Sequence, residues 1–192
     1  MTITLSELIG TLSSLQATGR PLIVGLDGRS GVGKSTLAAA IAAETSAAVI
    51  GGDDFFAGGT TLIEATPEHL AEICIDRPRL AAVLRDLRAG RPIEYRAFDW
   101  EAFDGRLERR ITRVEPNGLI LVEGVYSCHP DLHDLLDIRI LATVSDEVRR
   151  ERLMQREGEI GPWERQWHAA ELWYFASRMP AAGFDQVIDT SA

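Results

Sequence analysis

Residues 28–35 of the 192-residue chain read Gly-Arg-Ser-Gly-Val-Gly-Lys-Ser, a G-x-x-x-x-G-K-[ST] spacing in which each residue type has a use toward a polyphosphate. Gly28, Gly31 and Gly33 let main-chain N–H groups turn inward around phosphate oxygens, where a side chain would block the approach. A helix opening at the end of this run would aim its positive end at the same oxygens. Lys34 is the sole lysine among twenty Lys and Arg residues. Its compact ammonium on a thin stem can lie along the loop to the β- and γ-phosphates, a path poorly suited to a planar guanidinium. Ser35 would ligate Mg²⁺ through its hydroxyl. The predicted nucleotide-binding set is therefore Gly28, Ser30, Gly31, Val32, Gly33, Lys34 and Ser35, with Thr36 as support at the start of the helix.

Acidic residues stand at two other strand ends. Asp53 and Asp54 follow the apolar run "AAVIGG", at the carboxyl edge where open α/β sheets place ligands. One of them can take the proton of an acceptor hydroxyl as a general base, and Phe55 and Phe56 could wall the acceptor. The same pair would also serve as a helix cap or a solvated acidic turn. Glu123 ends the aliphatic run "LILVE", a pattern that holds Mg²⁺ directly or through water. Ser35 and Glu123 are thus the expected metal ligands.

Arg149, Arg152 and Arg156 recur at i, i+3 and i+7 and so share one helix face. Such arginines, Arg152 and Arg156 in particular, would neutralise charge on a transferred phosphoryl group, with the loop from Gly158 to Pro162 as a hinge. The interleaved Glu147, Glu151 and Glu157 suit a salt-bridged surface helix equally well. Guanine-specific switches are excluded. Their N-K-x-D motif cannot be written in a chain whose one asparagine is Asn117 and whose one lysine is Lys34.

These groups need elements to hold them. Apolar runs predict strands over 20–27, 47–52, 118–124 and 137–144, with a short fifth over 185–190. Helices are expected over 67–74, 78–89, 131–136, 146–157 and 163–178. Thr4 and Glu7 form a capping box ahead of a first helix ending near Gly19. Strands alternating with helices predict βαβ units and one parallel sheet covered on both faces. The stretch from Ala89 to Arg110, rich in charge and aromatics, breaks the rhythm and reads as an excursion near the site. One domain is expected over 1–192, with an N-terminal helix (1–19), an acceptor-binding region near 54–110 and a lid near 149–165.

A net charge of −9 argues against nonspecific binding to nucleic acid or anionic membranes. Two cysteines without C-x-x-C spacing, no signal-peptide pattern and no apolar segment near twenty residues lead to a cytoplasmic expectation. "CHPDLH" pairs His129 with His133 beside Cys128, but no fourth ligand is evident for zinc. Trp163 and Trp167 share a helix face, the usual signature of packing.

Taken together, the chain resembles the uridine kinase-like group of P-loop kinases, from about residue 20 to its end. "GRSGVGKST" is similar to that group's loop, "GGDDFF" to the D-D-F-F stretch of nicotinamide riboside kinases, and "VEGVYS" to the group's E-G-I/V. "CIDRPRLAAVLRDLRAGRPIEYRAFDW" resembles the uridine-kinase pattern F-D-H-P…L…G…P-x-Y-D-F, with Arg77 where that pattern has histidine. The resemblance implies an α/β P-loop NTPase fold, three layers around a five-stranded parallel sheet with a helical lid, and ATP with Mg²⁺ as donor. It implies Asp53 as the base, Asp76 as a ligand of substrate hydroxyls, and Tyr95, Asp99 and Trp100 near the acceptor, beside Phe56. Asp76 before Pro78 would also make an ordinary helix N-cap. The expected activity is transfer of the γ-phosphate to a hydroxyl of a nucleoside-like metabolite, by a monomer or homodimer. The alternatives are a pantothenate- or sugar-like acceptor, or a regulatory ATPase.

Overall fold

The computed structural model describes residues 2–16 and 20–191. The expected end of the first helix near Gly19 lies outside the described residues. The helix itself, α1 (Leu5–Gln16), follows a two-residue strand, β1 (Thr2–Ile3). It starts as its capping box predicts: the Thr4 N–H donates to Glu7 Oε2 at 2.8 Å and the Glu7 N–H returns to Thr4 Oγ1 at 3.3 Å.

The five predicted strands are β2 (Leu22–Asp27), β3 (Ala48–Gly51), β6 (Leu119–Glu123), β7 (Ile138–Thr143) and β8 (Gln186–Asp189). They form one parallel sheet, and β1 adds a short sixth strand at its edge, in the order β1-β8-β7-β2-β6-β3. Side chains alternate across it with the two-residue period of a pleated strand. Leu22, Val24 and Leu26 of β2, with Leu119 and Leu121 of β6, pack under α1 and α2 (Lys34–Thr45). Ile23, Ile120 and Val122 face the opposite layer, where α4 (Arg77–Arg88) supplies Leu80, Leu84 and Leu87. That second layer also holds α3 (Pro67–Ile73) and α6 (Pro162–Trp173). The helix α5 (Asp146–Glu157) precedes α6 across a four-residue turn.

Three elements depart from the sequence expectations. The excursion contains a small antiparallel hairpin, β4 (Ile93–Tyr95) and β5 (Thr112–Val114). The helix expected over 131–136 is a 3₁₀ helix, Pro130–Leu135. The helix expected to run to 178 changes to a π turn over Tyr174–Arg178, which turns Tyr174 into the core.

The sheet's order puts β2 between β6 and β7, so the loop after β2, the end of β6 and the end of β3 all open on one edge. The last two are held close by glycine. Gly124 has φ +150°, and a Cβ there would lie 3.1 Å from Gly52 Cα. Gly124→Ala is expected to destabilise the chain by about 1–3 kcal/mol, since neither backbone can retreat. Gly10→Ala, inside α1 with nothing within 4 Å of the new methyl, should stabilise it by about 0.5–1 kcal/mol. Urea unfolding of both variants checks the pair.

Candidate active site

The chain turns out of β2 at Gly28, whose φ is +152° and whose Cβ would meet Ala142 O at 2.5 Å, so only glycine fits. The loop then delivers its amides to the N-terminus of α2, where the first-turn N–H groups have no intrahelical acceptor. Lys34 folds back along this loop. Its Nζ donates to Gly28 O at 2.8 Å and to Arg29 O at 3.2 Å, and the side chain is buried. Ser35 Oγ lies 3.2 Å from Glu123 Oε1, so the two expected metal ligands stand together.

An open cleft of about 1090 Å³ runs from this loop. It is lined by residues of the loop and the start of α2, Ser30, Gly31, Gly33, Lys34, Ser35 and Thr36, by Asp53, Asp54, Thr60, Thr61, Glu123, Arg152 and Arg156, and by the aromatic residues Trp100, Phe103, Trp163 and Trp167. Val32, in the predicted nucleotide set, is instead buried under α2 with the core.

The two aspartates divide their duties. Asp54 Oδ2 accepts the Tyr95 hydroxyl at 2.6 Å, and the Asp54 carbonyl accepts the Phe98 N–H at 2.9 Å. Asp53 has no hydrogen-bond partner for its carboxylate among the described residues, and its side chain opens on the cleft. The residue is exposed to the cleft, yet the protein mass around the opening pushes its pKa upward, to about 6; Lys34 opposes the rise, and Glu123, Glu171 and Asp54 add to it.

The aromatic residues form a basket. Trp100 lies against Phe56 (4.8 Å between centroids) and Phe103 (6.0 Å), Phe103 meets Trp163 edge-on (5.2 Å), and Trp163 stacks on Trp167 (6.0 Å). Phe56 is buried beneath it, supporting the ring wall rather than facing the cleft. Trp100 is partly open, and its Nε1–H donates to Asp53 O at 3.3 Å.

Other expected acceptor residues lie elsewhere. Asp76 caps α4, accepting the Arg79 N–H at 3.0 Å, and is outside the cleft lining. Asp99 closes a turn by accepting the Ala102 N–H at 2.9 Å. Tyr95 is buried in the core beside Phe55, 5.0 Å between ring centroids, and reaches the site only through Asp54. Burial and the Asp54 carboxylate push its hydroxyl pKa upward.

The arginines on α5 part company. Arg149 is buried and donates to Ser30 O at 3.2 Å. Arg152 donates to Thr190 O at 2.8 Å and Val32 O at 3.2 Å. Arg156 pairs with Glu157 at 2.7 Å. Only the last two border the cleft. In the "CHPDLH" run, His133 Nε2 lies 3.1 Å from Cys128 O, and both cysteines are free and buried.

Two buried carboxylates went unnoticed in the sequence. Asp27, at the end of β2, is fully buried and accepts from Gly28 N (2.8 Å), Tyr126 N and Cys128 N (3.0 Å each) and the Tyr174 hydroxyl (2.9 Å). It stitches the loop after β2, the turn after β6 and the π turn together. An acid closing a fully apolar strand was the available signal. Glu171, equally buried, grips Ser30 from α6. Its signal was an acid at i+4 from Trp167 and i+8 from Trp163, within a packing stripe.

No protein-family model matches the chain. The uridine kinase of Limosilactobacillus reuteri (strain DSM 20016) is 27% identical over 151 residues, covering 75% of this chain and 68% of that protein. The uridine kinase of Lactiplantibacillus plantarum is 29% identical over 145 residues, covering 72% and 68%. The solved structure of a possible uridine kinase from Bacillus stearothermophilus superposes with a TM-score of 0.72 at 21% identity, covering 96% of this chain and 97% of that one. The chain is thus similar in sequence, at under 30% identity, to proteins named uridine kinases, and it shares the fold of a possible uridine kinase. Among the described residues no helix is long and apolar enough to cross a membrane.

Asp27 also gives the fold a pH dependence. Burial outweighs its donors and raises its pKa from 3.8 to about 6. Between those values the folded chain holds a proton that the unfolded chain has released, so stability falls as pH rises through the window. Two units correspond to about 3 kcal/mol. Asp27→Asn should lose roughly that much of the change in unfolding free energy between pH 4 and pH 7, read by urea titration at each pH. An unaltered pH dependence would contradict this assignment.

Proposed function

We propose that the protein is an ATP-dependent small-molecule kinase whose acceptor is nucleoside-like. The observation that carries this reading is the Asp53 carboxylate, without a hydrogen-bond partner among the described residues, bordering the same cleft as the Lys34 loop. A γ-phosphate seated on that loop and a hydroxyl resting on Asp53 would meet between them. The residues present fit a Mg²⁺–nucleotide. Mg²⁺ binds through one or two protein oxygens plus phosphate oxygens, and Ser35 Oγ and Glu123 Oε1, 3.2 Å apart, offer that set beside a buried cation. Bound there, the metal would neutralise phosphate charge. Lys34 and the amides of the loop would hold the β- and γ-phosphates, and Arg152 and Arg156 border the space above them.

Asp53 is the better base of the pair because Asp54 is occupied by Tyr95. Its raised pKa makes it a stronger proton acceptor than an ordinary carboxylate while leaving it ionised at neutral pH. For the acceptor, the aromatic basket of Trp100, Phe103, Trp163 and Trp167 offers faces on which a flat ring can stack. The carboxylates of Asp53, Asp54 and Glu164 border the same cleft. That sign of charge supports a neutral ring-bearing acceptor over an anionic acid such as pantothenate. The sequence relatives named uridine kinases point the same way.

Asp53→Asn is expected to lower kcat by about 10²–10⁴-fold while Mg·ATP affinity changes less than about threefold, measured with uridine as trial acceptor and by calorimetry. In the wild type, kcat/KM should fall as pH drops through about 6, where Asp53 takes up its proton. Full turnover by Asp53→Asn, or a flat profile between pH 5 and 7, would overturn the assignment of the base.

A further inference from the structure

Ser30 carries more bonds than holding phosphate requires. Its N–H donates to Glu171 Oε2 at 3.0 Å, and its hydroxyl donates to Glu171 Oε1. The same hydroxyl oxygen accepts from Trp167 Nε1 at 3.3 Å, and the Ser30 carbonyl accepts from Arg149 Nη1 at 3.2 Å. Every polar atom of this loop residue is therefore tied to α5 or α6. Glu171 is 0% exposed, and a carboxylate so placed costs several kcal/mol unless its oxygens are well satisfied. Both of them are spent on Ser30. A sensor of loop position would be built this way, because a buried anion that loses its donors has no water to replace them.

The same helix reaches the acceptor side. Trp167 lines the cleft. Gln166 binds both backbone groups of Ile63: its Nε2 donates to the Ile63 carbonyl, and its Oε1 accepts the Ile63 N–H at 3.5 Å. Ile63 lies in the segment 57–66, whose Thr60, Thr61 and Leu62 border the cleft. Gln166 and Glu171 are five residues apart, about 7.5 Å along one rigid helix. One helix therefore holds both Ser30 and Ile63.

We propose that Glu171 is a positioning residue through which nucleotide binding at the phosphate loop is transmitted along α6 to the segment 57–66 over the acceptor cleft. The inference rests on the kinase reading, since it takes a nucleotide as the ligand of the loop. When the loop closes on phosphates, Ser30 is fixed, the carboxylate that grips it is fixed, and α6 holds 57–66 in place before an acceptor arrives. The site then completes its acceptor wall only when the donor is present.

Hydrogen exchange read by mass spectrometry tests this on the full chain, with Mg·AMP-PNP as the probe. At saturating probe the wild-type peptide covering 57–66 should exchange roughly tenfold more slowly than without it. Glu171→Gln keeps the side chain's size but loses one acceptor oxygen. It should still bind the probe in calorimetry, yet show less than about twofold slowing at 57–66. If Glu171→Gln fails to fold by circular dichroism, Ser30→Ala, compared at probe concentrations that calorimetry shows to saturate it, reads the same coupling from the loop side and should also lose most of the slowing. A merely structural role would lower the unfolding midpoint and leave the slowing intact. Wild-type slowing retained in the folded variant, or no slowing in a wild type that binds the probe, overturns this inference alone. A wild type that does not bind Mg·AMP-PNP overturns it together with the kinase reading.

Discussion

The site depends on a buried ammonium that, among the described residues, has no carboxylate within ion-pair distance, although the charges of Asp27 and Asp53 reach it. Lys34 Nζ is held by two backbone carbonyls, at 2.8 and 3.2 Å, and among the described residues it forms no ion pair. Carbonyl dipoles satisfy donors but do not neutralise charge, so such a cation in a partly dry site favours an anion strongly. Its surroundings decide which anion. The glycines admit backbone N–H groups to the same spot, and the N-terminus of α2 adds its dipole. A compact, multiply charged group with several acceptor oxygens fits, and a terminal phosphate chain is such a group.

The second constraint is negative charge facing that anion. Asp53 and Glu123 stand across the same opening, and they would repel a polyphosphate without a cation between. Ser35 Oγ beside Glu123 supplies the place for one. Tyr95 has taken Asp54, whereas the Asp53 carboxylate has no hydrogen-bond partner among the described residues and borders the opening. The close approach of Gly52 and Gly124 brings the ends of β3 and β6 together, which makes the electrostatics a consequence of backbone packing.

The sequence made the loop side of the candidate site legible because that side is local. Eight consecutive residues, a strand before them and a helix after them carry its whole geometry, and the strand-end acids Asp53 and Glu123 follow from the same edge rule. The five long strands were equally plain from their apolar runs, while the two residues of β1 are too few to show a period. The acceptor side was harder to read, since its members come from distant segments. Tyr95 and Asp76 resembled motif positions but are used for packing and capping. Trp163 and Trp167 read as packing, yet they also line the cleft. Asp27 and Glu171 escaped because a single buried acid has no periodicity; only the fold shows that their partners lie about a hundred residues or more away, at Tyr126 and Ser30.

Calorimetric titration of Mg·ATP into the wild type and into Lys34→Met addresses the unpaired ammonium directly. Methionine keeps an apolar stem of four atoms and removes the terminal ammonium with its charge and donors. The account predicts saturable binding by the wild type and a loss of at least about 100-fold in the variant, the scale of removing one member of a buried charge pair. Equal affinities in the two proteins would contradict it.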